Sequence, residues 1–279
     1  MNHSQPHLDQ ARLQRVSARG ALSVRRRDGK TCLERLYQEG AAKIRLPARG
    51  DGPLEAILIN TAGGLTGGDR LAWDIEAGED TAVTVTTQAC EKVYRAEAGH
   101  AEIAGKISGK AGTRIAWLPQ ETIVYDRSAL RRRFDVELAE NAEALIVEAT
   151  IFGRRAMGET VRTAMFRDRW RVRCGDRLVH AEDFAIGPSV ETTIGRQAGL
   201  GGGAAFATVL LVAPSAAARL GAVRTIVEDA GGASAWQVGS TGKLLARLVA
   251  TDGYALRERL VPLVAMLNGQ AGLPKTWSL

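Results

Sequence analysis

Over the first two-thirds of the chain, apolar and polar residues alternate in short runs with a period of two. The cleanest run is TAVTVTT at 81–87. Its Val and Thr favour a pleated backbone, and its alternation turns one face toward a core. Similar runs predict strands over 32–37, 41–46, 55–60, 101–107, 114–118, 131–138, 144–151, 160–173 and 177–186. Asp28-Gly29, Asp51-Gly52, Ala77-Gly78 and Gly175-Asp176 punctuate them as turns. Strands at this spacing predict an antiparallel β body over 20–203, behind a polar tail at 1–19. No internal repeat and no low-complexity tract stands out.

After residue 186 the pattern changes. Five Gly in the nine positions 195–203 read as a flexible loop. An apolar strand follows at 206–212. Pro214 stops it, and Ser215 is placed to cap a helix running to about Asp229. Strands at 233–238 and 244–250 come next. Asp252 then caps a second helix, in which Leu256, Leu260, Leu263, Val264 and Leu267 recur at helical spacing. The order βαββα predicts a small α+β part with two helices over 204–279, packed on the body.

Composition narrows the classes. A chain of 279 residues, 45% hydrophobic and 24% charged, is that of an ordinary globular protein. Three Cys and four His exclude a disulfide scaffold, a zinc finger and a His-rich metal store. The start of the chain has no apolar core of a secretory signal, and the longest nearly apolar run, 204–214, is too short to span a bilayer, so a cytoplasmic protein is expected. The formal charge is +6, and 30 of the 37 basic residues are Arg. Arg makes bidentate contacts to carboxylate and phosphate, so this charge suits nucleic acid or a partner with acidic patches.

Four stretches carry candidate chemistry. NTAGGLTGGD at 60–69 offers backbone amides to a phosphate. It lacks the Gly-Lys-Ser/Thr ending of a P-loop, and no long helix follows it, so a tight loop with close backbone packing is the better reading. WLPQETIVYD at 117–126 places Glu121 and Asp126 near a turn, where carboxylates can serve acid/base work or an oxygen-ligated cation, but ordinary ion pairs with neighbouring Arg are the better reading. FGRRAMGE at 152–159 is a polar turn ending in Glu159. On 167–173, Arg167, Arg169, Arg171 and Arg173 alternate with other residues, which puts four guanidiniums on one strand face as a docking surface. Cys90 reads as a small buried hydrophobe, and no nucleophile elbow or Ser-His-Asp set is visible.

NTAGGLTGGD, WLPQETIVYD and FGRRAMGE, with TTQACEKVYR at 86–95 and the ending LPKTW at 273–277, resemble the UreD (UreH) family of urease accessory proteins over roughly 20–279. The resemblance implies a mainly β fold of stacked antiparallel sheets in a β-helix-like winding, with helices near the C-terminus. It implies a non-enzymatic scaffold for urease maturation with no cofactor of its own. Such a scaffold binds apo-urease and UreF, through UreF the GTPase UreG, and serves GTP-dependent nickel insertion with UreE as nickel donor. Nickel handled transiently in a polar interior then gives the carboxylates a role. Asp126 and Glu159 are expected to line the route, with Glu121 and Asp69 as further candidates, because a few oxygen ligands release nickel where thiolate and imidazole would trap it. The competing readings are a basic nucleic-acid-binding β domain, against which aromatics make up only 5% of the chain, and a metal-dependent hydrolase using Asp69, Glu121 and Asp126.

Overall fold

Alternating strands each have one apolar face to bury, and this chain buries them by winding into coils. The computed structural model describes residues 15–47, 52–154 and 157–277. His3, His7 and most of the predicted tail lie outside the described residues. A hairpin of β1 (Ser17–Arg27) and β2 (Lys30–Glu39), joined by the expected Asp28-Gly29 turn, is followed by a second pair, β3 (Ala42–Arg45) and β4 (Leu54–Asn60). The coils then run through β5 (Arg70–Ala77), β6 (Ala82–Thr87), β7 (Glu91–Val93), β8 (Ala101–Gly109), β9 (Arg114–Leu118), β10 (Thr122–Val124), β11 (Ala129–Leu138), β12 (Glu143–Phe152) and β13 (Met165–Cys174). Strand β14 (Arg177–Ile186) folds back on β13.

Each coil visits the first sheet, then the second, then a short third side. The first sheet has the order β14-β13-β11-β8-β5-β1-β2. The second contains β12-β9-β6-β4-β3, and β7 and β10 form the third side beside the end of β12. The winding and the β-rich class are as the resemblance implied, but the pairing between coils is parallel rather than antiparallel. Arg70 lies beside Glu102, Ala101 beside Leu130, Ala82 beside Arg114 and Arg114 beside Glu143, a step of about thirty residues per coil. Successive coils wind in one sense, so equivalent strands must run the same way. Antiparallel pairs are confined to hairpins and to the strands that close each sheet. Turn spacing alone does not separate a hairpin from one side of a coil. Nor does the structural repeat require a sequence repeat, because each side needs only an alternating pattern.

The C-terminal part has the predicted order. Strand β15 (Ala205–Val212) pairs antiparallel with β12, and β17 (Thr241–Ala250) and β16 (Gly231–Val238) extend the second sheet. Before them a short helix, α1 (Val190–Gly195), leads into the glycine-rich stretch. That stretch is a turn wound by backbone bonds such as Leu200 N–H to the Ile194 carbonyl at 3.1 Å, rather than a loose loop. Helix α2 (Leu220–Val227) begins after a 3-10 turn, so Ser215 caps nothing and sits in the preceding turn. Helix α3 (Gly253–Asn268) starts as expected, with the Asp252 carboxylate accepting from Ala255 N–H at 2.9 Å.

Three layers result. The main core lies between the two sheets and holds an aromatic row, with ring centroids 5.1 Å apart for Trp117–Phe134 and 5.9 Å for Phe134–Trp170. A second core lies between the outer face of the second sheet and α2 and α3, where Leu256, Leu260, Leu263, Val264 and Leu267 are all buried. The chain's ending locks this layer. Arg257 on α3 donates to Gln120 (2.9 Å), Glu121 (2.8 Å) and the Trp277 carbonyl (2.8 Å). The Trp277 indole N–H donates to the Leu118 carbonyl at 2.9 Å. Trp277 is 4% exposed, so Trp277→Ala is expected to cost about 3–5 kcal/mol, read as a lower midpoint in guanidinium denaturation with little change in slope.

Candidate functional site

The motif blocks, distant in sequence, stack at one edge of the coils. Leu65 of the glycine block bridges to Val93, β7 pairs with β10, and β10 pairs with β12 just before the FGRRAMGE turn. The glycines permit this contact. A Cβ on Gly64 would stand 2.4 Å from the Tyr94 ring and 2.7 Å from the Lys92 carbonyl, and one on Gly67 would stand 2.1 Å from the Ala98 carbonyl. The block is therefore a packing loop, as its composition indicated. Beside it the half-exposed Tyr94 packs against the buried Tyr125 at 5.2 Å, with the Arg154 guanidinium 4.4 Å over the Tyr125 ring.

The four carboxylates named from the sequence occupy three places. Asp69 is buried, and its oxygens accept from Val16 N–H and Thr66 N–H, both at 2.8 Å. Glu121 is buried in the C-terminal lock, with one oxygen on Arg257 and the other accepting from the Cys90 thiol at 3.3 Å. Burial and this carboxylate push the Cys90 thiol up to about 12, so it is protonated at neutral pH and fits the reading of an inert residue. Asp126 and Glu159 do come together. One Asp126 oxygen accepts from the backbone of Arg162 (2.9 Å) and Thr163 (3.0 Å), while the other faces Arg127 at 3.6 Å. Partial burial pushes this carboxyl up, but those amides and Arg127 outweigh it and hold it below its ordinary value. Glu159 pairs with Arg154 at 2.8 Å, and its second oxygen accepts only a long bond, 3.4 Å, from Asp126 N–H. Among the described residues no three of His, Cys, Asp and Glu gather closely enough to hold a metal ion.

A richer polar arrangement lies between the sheets. Arg132 on β11 donates to Asp168 on β13 through Nε (3.0 Å) and Nη2 (2.5 Å), and through Nη1 to Glu148 on β12 and to the Thr122 hydroxyl at 3.3 Å. The Trp117 indole N–H donates to Glu148 at 2.8 Å. Arg132, Glu148 and Asp168 are all buried, and they carry one more negative than positive charge. Burial pushes Glu148 up, Arg132 pulls it back and Asp168 pushes it up again, leaving it at about 6. From Thr122 the seam continues to its register neighbour Glu91, both of whose oxygens accept from the Asn60 amide (3.1 and 3.2 Å). Burial raises Glu91 to about 7, against the hydrogen bonds from Asn60 and the Lys92 backbone. Among the described residues the buried hydroxyl of Thr150, register neighbour of Thr122, has no partner, and neither has the Trp170 indole N–H two residues from Asp168.

The sequence reading missed Glu91, Glu148 and Asp168 as site residues. Its usable signal was a charge on the apolar side of an alternating run: Arg132 between Leu130 and Phe134, Asp168 between Phe166 and Trp170, Glu148 two residues past Ile146. The arginine strand does present Arg167, Arg169, Arg171 and Arg173 on one outward face. Arg171 is tied to Asp183 (2.5 Å) and to the Trp170 and Glu182 carbonyls, and Arg173 reaches the Asp176 carbonyl at 3.4 Å.

A coiled β scaffold with a charged interior seam and a stacked motif edge is thus the class of protein the fold defines. The UreD urease accessory protein family matches residues 16–278. A urease accessory protein UreD of Brucella suis is 57% identical over 267 residues, 96% of each chain, and that of Mesorhizobium japonicum is 59% identical over 266 residues, 95% of each. The chain belongs to the UreD family.

Two outcomes follow from the seam. Replacing Arg132 by Leu strands two buried carboxylates and should cost about 3–5 kcal/mol at neutral pH in urea denaturation. An unfolded Glu titrates near 4.3 and Glu91 titrates at about 7 in the fold, so the native state holds an extra proton across that window and stability falls as pH rises through it. Glu91→Gln removes the penalty. Its melting temperature should match wild type near pH 4 and exceed it at pH 8, a gain on the order of 3–4 kcal/mol.

Proposed function

We propose that this chain is a scaffold of urease maturation: it binds apo-urease and UreF, recruits the GTPase UreG through UreF, and assists GTP-dependent insertion of nickel supplied by UreE in the cytoplasm. The observation that carries this reading is likeness over nearly the whole chain to proteins named urease accessory protein UreD. The naming of its relatives as accessory proteins supports a non-catalytic role.

Nickel passage fits the interior seam. Glu91, Glu148 and Asp168 bring carboxylates to neighbouring places in the interior, where nickel would exchange with the Asn60 and Arg132 hydrogen bonds. The Thr150 hydroxyl and Trp170 N–H, without a partner among the described residues, leave polar groups for a hydrated ion. Asp126 and Glu159 belong at the rim, where one oxygen of each lacks a short bond. In this reading Asp69 and Glu121 are structural, because Asp69 ties the backbone amides of Val16 and Thr66 and Glu121 anchors Arg257 of α3.

Glu91→Gln tests the route without unfolding it. In cells expressing urease with its accessory proteins, the variant should co-purify with UreF and urease as wild type does, while nickel per urease active site falls several-fold by elemental analysis. Asp126→Asn/Glu159→Gln should show a smaller drop. Full nickel loading in both variants removes the conduit and leaves the scaffold standing. Full nickel loading when the chain is omitted removes the maturation role itself.

A further inference from the structure

The outward face of the first sheet holds a block of positive charge that is largely without ion-pair partners among the described residues. Strands β11 and β13 are parallel and in register, so Arg131 stands beside Arg167 and Arg133 beside Arg169, all four exposed on the same face. Neighbouring strands lie about 4.8 Å apart and same-face residues along a strand about 6.8 Å apart, so the four Cα positions make a rectangle of that size. Like charges placed directly across a strand pair repel. The acids nearby are already committed. Glu102, beside Arg131, pairs with Arg70 (3.3 Å) and His100 (3.1 Å), and Asp183, beside Arg169, pairs with Arg171. Only Arg133 has an acid, Asp135 at 3.1 Å. Among the described residues Arg131, Arg167 and Arg169 have no ion-pair partner, although Arg171 and Arg173 on the same strand do find acceptors.

We infer that Arg131, Arg133, Arg167 and Arg169 form the docking site for a carboxylate-rich protein surface, and that Arg171 and Arg173 serve the sheet instead. The inference rests on the scaffold reading above and names the chemistry of one of its contacts. Four guanidiniums within one small rectangle match clustered Asp and Glu side chains, each of which one planar fork can grip through two oxygens. A nucleic acid fits less well. Its backbone would have to continue past the block over Glu102, Asp135, Glu137 and Asp183, which border it. The aromatic rings of this region, Phe134, Phe166 and Trp170, are buried on the opposite face and offer bases nothing to stack on.

The test compares the full chain with Arg131→Glu/Arg167→Glu/Arg169→Glu and with Arg25→Glu, an exposed control on β1. Poly-L-glutamate and duplex DNA of matched charge are the probes in low-salt buffer, with circular dichroism and melting temperature confirming that each variant is folded. Wild type and Arg25→Glu should bind poly-L-glutamate more tightly than DNA, and the triple reversal should weaken that binding about tenfold or more. Binding by the triple reversal within about twofold of wild type, or a wild-type preference for DNA, overturns the proposal. A second arm co-purifies the same variants with apo-urease and the accessory proteins. Loss of the complex with the triple reversal supports the surface. Retention of the complex by the triple reversal overturns the surface alone, and failure of the wild-type chain to co-purify overturns the scaffold reading and this proposal with it.

Discussion

Arg132 binds Asp168 on the adjacent strand of its own sheet and Glu148 on the opposite sheet, so one side chain fixes both the register of β11 against β13 and the approach of the two sheets. Around it the interior is apolar and aromatic, and an unpaired charge there would be prohibitive. The coils can therefore close in only one alignment, the one that brings both carboxylates to this guanidinium. Burying ions is seldom a gain in stability over packed hydrocarbon. What the triad provides is a polar line through the centre of a β coil, continued by Thr122, Glu91 and Asn60 toward the motif edge.

The seam also shows how a chain with so few Cys and His builds a polar interior: from carboxylates, hydroxyls and one guanidinium, while Cys90, next in the chain to Glu91, is kept protonated by burial and by Glu121. The motif blocks are then read less as binding sites than as the contacts that let coils stack. Gly64 and Gly67 clear space for the next coil, Asp69 and Asp126 tie turns through backbone amides, and the LPQE segment receives the chain's C-terminal Trp277.

Much of the fold was legible in the amino-acid pattern. Period-two runs located most strands, and the spacing of Leu256, Leu260, Leu263, Val264 and Leu267 together with the Asp252 cap located α3, because both signals are local consequences of which side faces the core. The parallel sense of the coils was not legible, since alternation is identical for either direction. The carboxylates were the least legible. Glu121 and Asp126 lie in one motif and share the same chemistry, yet one is locked to α3 and the other holds a turn beside Glu159.

The sequence by itself determined the β class, the βαββα ending, the packing role of the glycine block and the family, for these follow from local patterns and motifs. Only the tertiary structure decided which charges matter together. Arg132, Glu148 and Asp168 come from three strands and two sheets, and Arg131 meets Arg167 only because β11 and β13 run parallel in register. Electrostatic energy depends on distances of a few ångströms, and such distances between remote segments exist only once the coils have closed.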